Sequence, residues 1–103
     1  MSRHAQILSF AGCANHEPAR SMLRDVITRV APDTTIEDVD VSEPALAERL
    51  RFPGSPTIRI DGEDVEPGFR DPGDYTPRCR LYRTDAGLRG VPDPAWIEQA
   101  LRS

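Results

Sequence analysis

Gly54-Ser55-Pro56-Thr57-Ile58-Arg59-Ile60-Asp61-Gly62 is the stretch on which the fold turns. Thr57 to Ile60 is a short run rich in β-branched residues, and the Gly and Pro residues ahead of it break any preceding helix. Asp61-Gly62 is a hairpin signal, because a two-residue turn of type I′ places both central residues at positive φ and these two tolerate it. The reading is a third strand over Thr57–Ile60 that reverses and returns as a fourth over Glu63–Glu66.

Upstream, Gln6 to Phe10 is a short apolar run ended by Gly12, and reads as a buried strand. The small-residue turn Ala11-Gly12-Cys13-Ala14-Asn15-His16-Glu17-Pro18 follows. Asn15 is placed to cap a helix, Glu17 suits the positive end of its dipole, and Pro18 is tolerated in a first turn. Ala19, Met22, Leu23, Val26, Ile27 and Val30 then fall on one helical stripe, with Arg20, Arg24, Asp25 and Arg29 opposite, until Pro32 stops the helix. Thr35 to Val41 is the second strand. Ser42 is placed to cap a short helix with Glu43 and Pro44 in its first turn and Leu46, Ala47 and Leu50 inward.

Downstream, Pro67 to Arg78 is rich in Pro, Gly and Asp and reads as a loop. Cys79-Arg80-Leu81-Tyr82-Arg83 alternates as a further short strand, with a turn at Asp85-Ala86-Gly87. Asp93 caps a last helix with Pro94 at its first position and Trp96, Ile97, Ala100 and Leu101 inward. The order β-α-β-α-β-β-insert-α predicts an α/β fold: one domain over 1–103, a mixed sheet of four or five strands flanked by helices, and an insert at about 67–90. The βαβ crossover predicts a parallel pair and the Asp-Gly hairpin an antiparallel one.

The 103 residues carry a net charge of −4, and every basic residue is arginine. No attraction to nucleic acid or to an anionic membrane surface is expected of an acidic chain, and no lysine serves as base or phosphate ligand. No apolar run approaches the ~20 residues of a membrane span. Met1-Ser2-Arg3-His4-Ala5 leads into a strand pattern with no signal-peptide core, so a cytoplasmic location is expected. The two cysteines, Cys13 and Cys79, lie far apart in sequence and leave no closed four-thiolate zinc site.

The order of elements resembles the thioredoxin and glutaredoxin fold. A cysteine lies between the first strand and the first long helix, and Ser55-Pro56-Thr57 with the following strand and Asp-Gly is similar to that family's cis-proline segment, most like the glutaredoxin version. The resemblance covers roughly Gln6–Glu66 and the last helix, not Pro67–Gly90. It implies a cis bond before Pro56 and a substrate, an extended peptide or glutathione, docked at Ser55, Pro56 and Thr57 beside the cysteine. The chain departs from the family at its motif: Cys13-x-x-His16 stands where Cys-x-x-Cys or Cys-x-x-Ser is usual, which rules out dithiol chemistry within the motif.

The chemistry needs a thiolate, and an ordinary cysteine with a pKa of ~8.5 supplies little. A helix N-terminus favours the anion, which makes Cys13 the candidate nucleophile. His16 is placed to assist as a cation or as proton donor to a leaving thiol, or else is an exposed first-turn histidine. Cys79, between Arg78 and Arg80, either resolves Cys13 as an internal disulfide, given Cα atoms within ~7 Å, or is a small buried residue in an extra strand. His4, His16, Cys13 and Cys79 are the soft or borderline ligands; His4 falls at the far end of the first strand and does not easily share a site with His16, a soft ion at Cys13, Cys79 and His16 ranks below redox use, and no resident metal or cofactor is expected. Asp33, Glu37, Asp38, Asp40, Asp61, Glu63, Asp64 and Glu66 read as a solvated acidic face.

The expected function is thiol–disulfide redox chemistry at Cys13 with a protein or small-molecule thiol partner, resolved by Cys79 or by an external thiol. Alternatives are a non-enzymatic binding or adaptor module of the same fold, and a protein handling soft metals or organomercurials through Cys13, Cys79 and His16.

Overall fold

The Asp61-Gly62 turn is where the expectation is met most directly. Both residues take positive φ, 51° and 87°, and they join β3 (Thr57–Ile60) to β4 (Glu63–Asp64) as an antiparallel pair. The computed structural model describes residues 3–103; Met1 and Ser2, on which the reading of the chain start partly rests, lie outside it. Ahead of β3 come β1 (His4–Ser9), α1 (His16–Val30), β2 (Thr35–Asp40) and α2 (Pro44–Arg49). After β4 come a separate hairpin, β5 (Tyr82–Thr84) and β6 (Gly87–Arg89), and α3 (Pro94–Arg102).

The main sheet has the order β2-β1-β3-β4. β1 runs parallel to β2, with Ile7 beside Asp38, and antiparallel to β3, with Ile7 beside Ile58. β1 is buried at Ala5 and from Ile7 to Ser9, with apolar side chains on both of its faces. Ala5 and Ile7 join Ile58 and Ile60 under Ala19, Leu23, Val26 and Ile27 of α1 and Ile97 and Leu101 of α3. Leu8 points the other way, into a smaller core with Val41, Ala47 and Phe52 beneath α2. The apolar stripe of α1 is thus what fixes one face of the sheet, and α3 closes it. Asp93 caps α3 as expected, its side chain accepting from the Ala95 N–H at 2.9 Å.

Arg3 ties the two ends of this layer together. Its guanidinium donates to the carbonyls of Ala100, Leu101 and Ser103 at the end of α3 and pairs with Asp61 in the β3–β4 turn. A cation there satisfies carbonyls that a helix end leaves without partners.

Three expectations change. The fourth strand is two residues, Glu63–Asp64, because Val65 turns inward and Glu66 enters a turn. The segment Cys79–Arg83 adds no fifth strand to the sheet: Cys79 makes a single bridge to Ser55, and Tyr82–Thr84 pairs only with β6. Ser42 does not cap α2. Glu43 holds that position without a side-chain bond, while the Ser42 hydroxyl accepts from the Ala11 N–H and donates to Asp40. No helix among the described residues is long and apolar enough to cross a membrane.

Candidate functional site

Cys13 follows β1 through a turn that only glycine makes easily. The Cys13 N–H donates to the Phe10 carbonyl at 3.2 Å, and Gly12, at the third position of this turn, has φ 86°, the positive value a type II turn requires. Ala11, the residue before it, is held from the β2 side: its N–H donates to Ser42 Oγ at 2.9 Å, and the hydroxyl passes its own proton to Asp40 Oδ1 at 2.5 Å. These donors from Ser42, the hydroxyl first and then its N–H, hold the Asp40 carboxyl below the usual carboxylate range.

Beyond Cys13 the chain enters α1 with Asn15 at the cap position. Its side chain makes no cap bond; it lies instead against Gly90, where an added Cβ would fall 2.2 Å from the Asn15 amide nitrogen. The first-turn amides of α1 therefore end near Cys13 without a side-chain acceptor from Asn15.

His16 is half-buried beside Cys13 and is turned toward β2. Its Nε2 lies 2.9 Å from Asp38 Oδ2, its Nδ1 lies 3.6 Å from Glu17, and Arg20 Nε meets the same Asp38 oxygen at 3.2 Å. Both ring nitrogens thus face carboxylates rather than the thiol. Ser9, Phe10, Ala11, Gly12, Cys13, His16, Asp38 and Asp40 line one cavity of about 220 Å³. Cys13 and His16 are brought together there; Cys79, Ser55, Pro56 and Thr57 do not line it. His4 faces Thr35 and Glu37 at the opposite end of β1.

The Ser55–Pro56 peptide is cis, and Ser55, Pro56 and Thr57 are all fully buried. What covers them is the chain's own segment 78–82. Ser55 donates its N–H to the Arg78 carbonyl at 2.7 Å and accepts from the Arg80 N–H at 2.9 Å. Tyr82 donates its hydroxyl to the Pro56 carbonyl, and Arg80 donates to Thr57 Oγ1 at 2.8 Å. Burial pushes the Tyr82 hydroxyl far above the ordinary tyrosine range. Both main-chain groups of Ser55 are therefore spent inside the chain, and the Ser55 hydroxyl lies buried without a partner among the described residues.

Arg80 is the residue that sequence reasoning missed. Its side chain is 7% exposed and pairs with Asp64, itself 4% exposed, at 2.7 Å. It reaches Glu66 at 2.8 Å and lies over the rings of Phe69 at 5.1 Å and Tyr82 at 4.3 Å. Gly54 admits this approach: a Cβ there would sit 2.8 Å from Arg80 Cβ. Asp64 is thus no part of a solvated face. Nor do two guanidinium groups flank the Cys79 thiol, since strand neighbours point to opposite sides: Arg80 is inside, and Cys79 is exposed beside Arg78. The pattern Arg80-x-Tyr82 with exposed Leu81 between them was the available signal, an alternation whose inward member is a charge.

Cys13 and Cys79 are both free thiols, the first half-buried and the second exposed. Among the described residues no three His, Cys, Asp or Glu side chains meet as a metal site would require. Cavity, turn and helix start together define a small mixed α/β domain with one cysteine held at the head of its first helix. Compared with protein-family profiles, with curated proteins and with solved structures, the chain matches none.

Proposed function

We propose that the chain is a thioredoxin-like domain that carries out thiol–disulfide exchange at Cys13, acting in the cytoplasm. The observation that carries this reading is the placement of Cys13, in a turn fixed on both sides between β1 and α1 and open to a cavity shared with His16. The sheet order β2-β1-β3-β4 and the Ser55-Pro56-Thr57 entry to β3 support the likeness of fold. In the reaction the Cys13 thiolate attacks one sulfur of a disulfide. A new bond forms to Cys13, which is oxidised, and the old S–S bond breaks. The departing sulfur is reduced and takes a proton from water. A second thiol, external or that of Cys79, reverses the modification by the same exchange.

Exchange with bis(hydroxyethyl) disulfide tests this. Cys13→Ser is expected to abolish turnover and Cys79→Ser to retain most of it; full activity in Cys13→Ser ends the reading. A second reading, a binding module that has the fold without the exchange, draws on the filling of the Ser55 edge by residues 78–80. Alkylation of Cys13 no faster than that of a free thiol peptide would select it.

A further inference from the structure

We propose that the disulfide Cys13 exchanges with is small and positively charged, of the aminoalkyl class, and that it enters from the β2 side; the inference rests on the reading of Cys13 as an exchanging thiol. An extended polypeptide pairs with a sheet through unspent N–H and C=O groups at an edge. At the entry to β3 those groups belong to Ser55, and both are taken by Arg78 and Arg80. The segment that takes them is pinned by the buried Arg80–Asp64 pair. This side is therefore closed to a peptide strand.

The β2 side is open. Its cavity of about 220 Å³ falls below the ~300 Å³ at which pockets for drug-sized ligands begin, so it takes a group of only a few heavy atoms. Its charge is uneven. Asp38 is met by His16 Nε2 and by Arg20. Asp40 has only neutral donors, the Ser42 N–H at 2.9 Å and the Ser42 hydroxyl, and no cation within ion-pair distance among the described residues. Those donors lower its carboxyl, so it is ionised at neutral pH. Glu17, exposed and 3.6 Å from His16 Nδ1, adds a further negative charge, against the single guanidinium of Arg20. Because Cys13 and Asp40 line the same small cavity, Asp40 attracts an ammonium group carried two carbons from a disulfide sulfur that approaches Cys13, and repels a carboxylate in its place.

The exchange balances as before: Cys13 joins one aminoalkylthio group, the S–S bond of the reagent breaks, and the other half leaves as a thiolate that takes a proton from water. The oxidant is the disulfide itself.

The test uses the full chain carrying Cys79→Ser, so that every adduct is at Cys13. Rates with cystamine, bis(hydroxyethyl) disulfide and dithiodiglycolate are read by intact mass and divided by the rates of a free thiol peptide with the same reagents. One uncompensated charge a few ångströms away changes such a rate by on the order of tenfold at low salt. Cystamine is therefore expected to exceed the neutral reagent by about that factor, and dithiodiglycolate to fall below it. Asp40→Asn, which keeps the acceptor for Ser42, is expected to bring the cystamine-to-neutral ratio within about threefold of the peptide's. Salt near 0.5 M is expected to shrink the ratio without any variant, because screening then acts within ~4 Å. A cystamine-to-neutral ratio equal to the peptide's at low salt, with a neutral rate well above the peptide's, overturns the substrate class alone. A neutral rate no higher than the peptide's overturns the exchange reading and this inference with it.

Discussion

Arg80→Met removes the cation on which the insert is built. Met occupies much of the same volume but leaves the carboxylates of Asp64 and Glu66 and the hydroxyl of Thr57 without their donor. The cost is set mainly by Asp64, whose side chain is 4% exposed and cannot recover water where it stands; Glu66, at 26%, regains part of its hydration. Removing one partner of a buried pair costs about 3–5 kcal/mol. A domain of this size has ~5–15 kcal/mol of stability in all, so a large part of it would be lost. With a urea dependence of ~1.5 kcal/mol per molar, the unfolding midpoint should fall by about 2–3 M. The double change Arg80→Met with Asp64→Leu replaces ion and counter-ion together and should recover most of the loss, since apolar replacement of a whole buried pair is close to neutral. Urea unfolding followed by the fluorescence of Trp96 checks both. A midpoint within about 0.5 M of wild type for Arg80→Met, or a double variant no more stable than the single one, refutes the account of the insert.

Gly54→Ala places a Cβ 2.8 Å from Arg80 Cβ at a residue whose φ is 139°, and is expected to cost about 2–3 kcal/mol through clash and backbone strain; an unchanged urea midpoint would show that the two segments are not in such close contact. Asp71 is held at about 2, first by the Tyr75 hydroxyl, then by the Gly73 N–H and by Arg51. Because its folded value is depressed, the tether it gives the 67–78 loop is present above the unfolded value of ~3.9 and is lost as pH falls through about 2. The Asp71 carboxyl carbon should titrate near 2 by NMR and move upward in Tyr75→Phe; a midpoint near 4 in wild type would dispose of the hydrogen bonds.

Local signals were read well wherever they were decided by near neighbours. The stripe of α1 depends on residues three and four apart, and β3 is bracketed by a Pro break and an Asp-Gly turn, so both came out of the sequence nearly as they stand. Ser42 shows the limit of that grammar. Its position suits a cap, but Ala11 and Asp40 compete for the same hydroxyl, and one of them lies on another strand. The site was partly legible in the same sense: Cys13 and His16 are close in sequence and line one cavity, whereas Asp38 and Asp40 join them only through the parallel pairing of β1 with β2. Arg80 could not be placed inside from its own neighbourhood. Its burial depends on Asp64, Glu66 and Thr57, each weakly marked alone and each read more simply as exposed or as part of another feature.

The bridge between Ser55 and Cys79 also orders events in time. β3 pairs with β1 and turns into β4 using residues up to 64 alone, yet its edge at Ser55 waits for Arg78 and Arg80. Until then Asp64 has no counter-ion, and the two main-chain groups of Ser55 are unclaimed. Until those residues arrive the nascent chain has a nearly finished sheet with an open edge at Ser55. The long connection between β4 and α3 is in this respect the fold's closing stitch, and trimming it as a dispensable loop would leave the domain permanently at that unfinished stage.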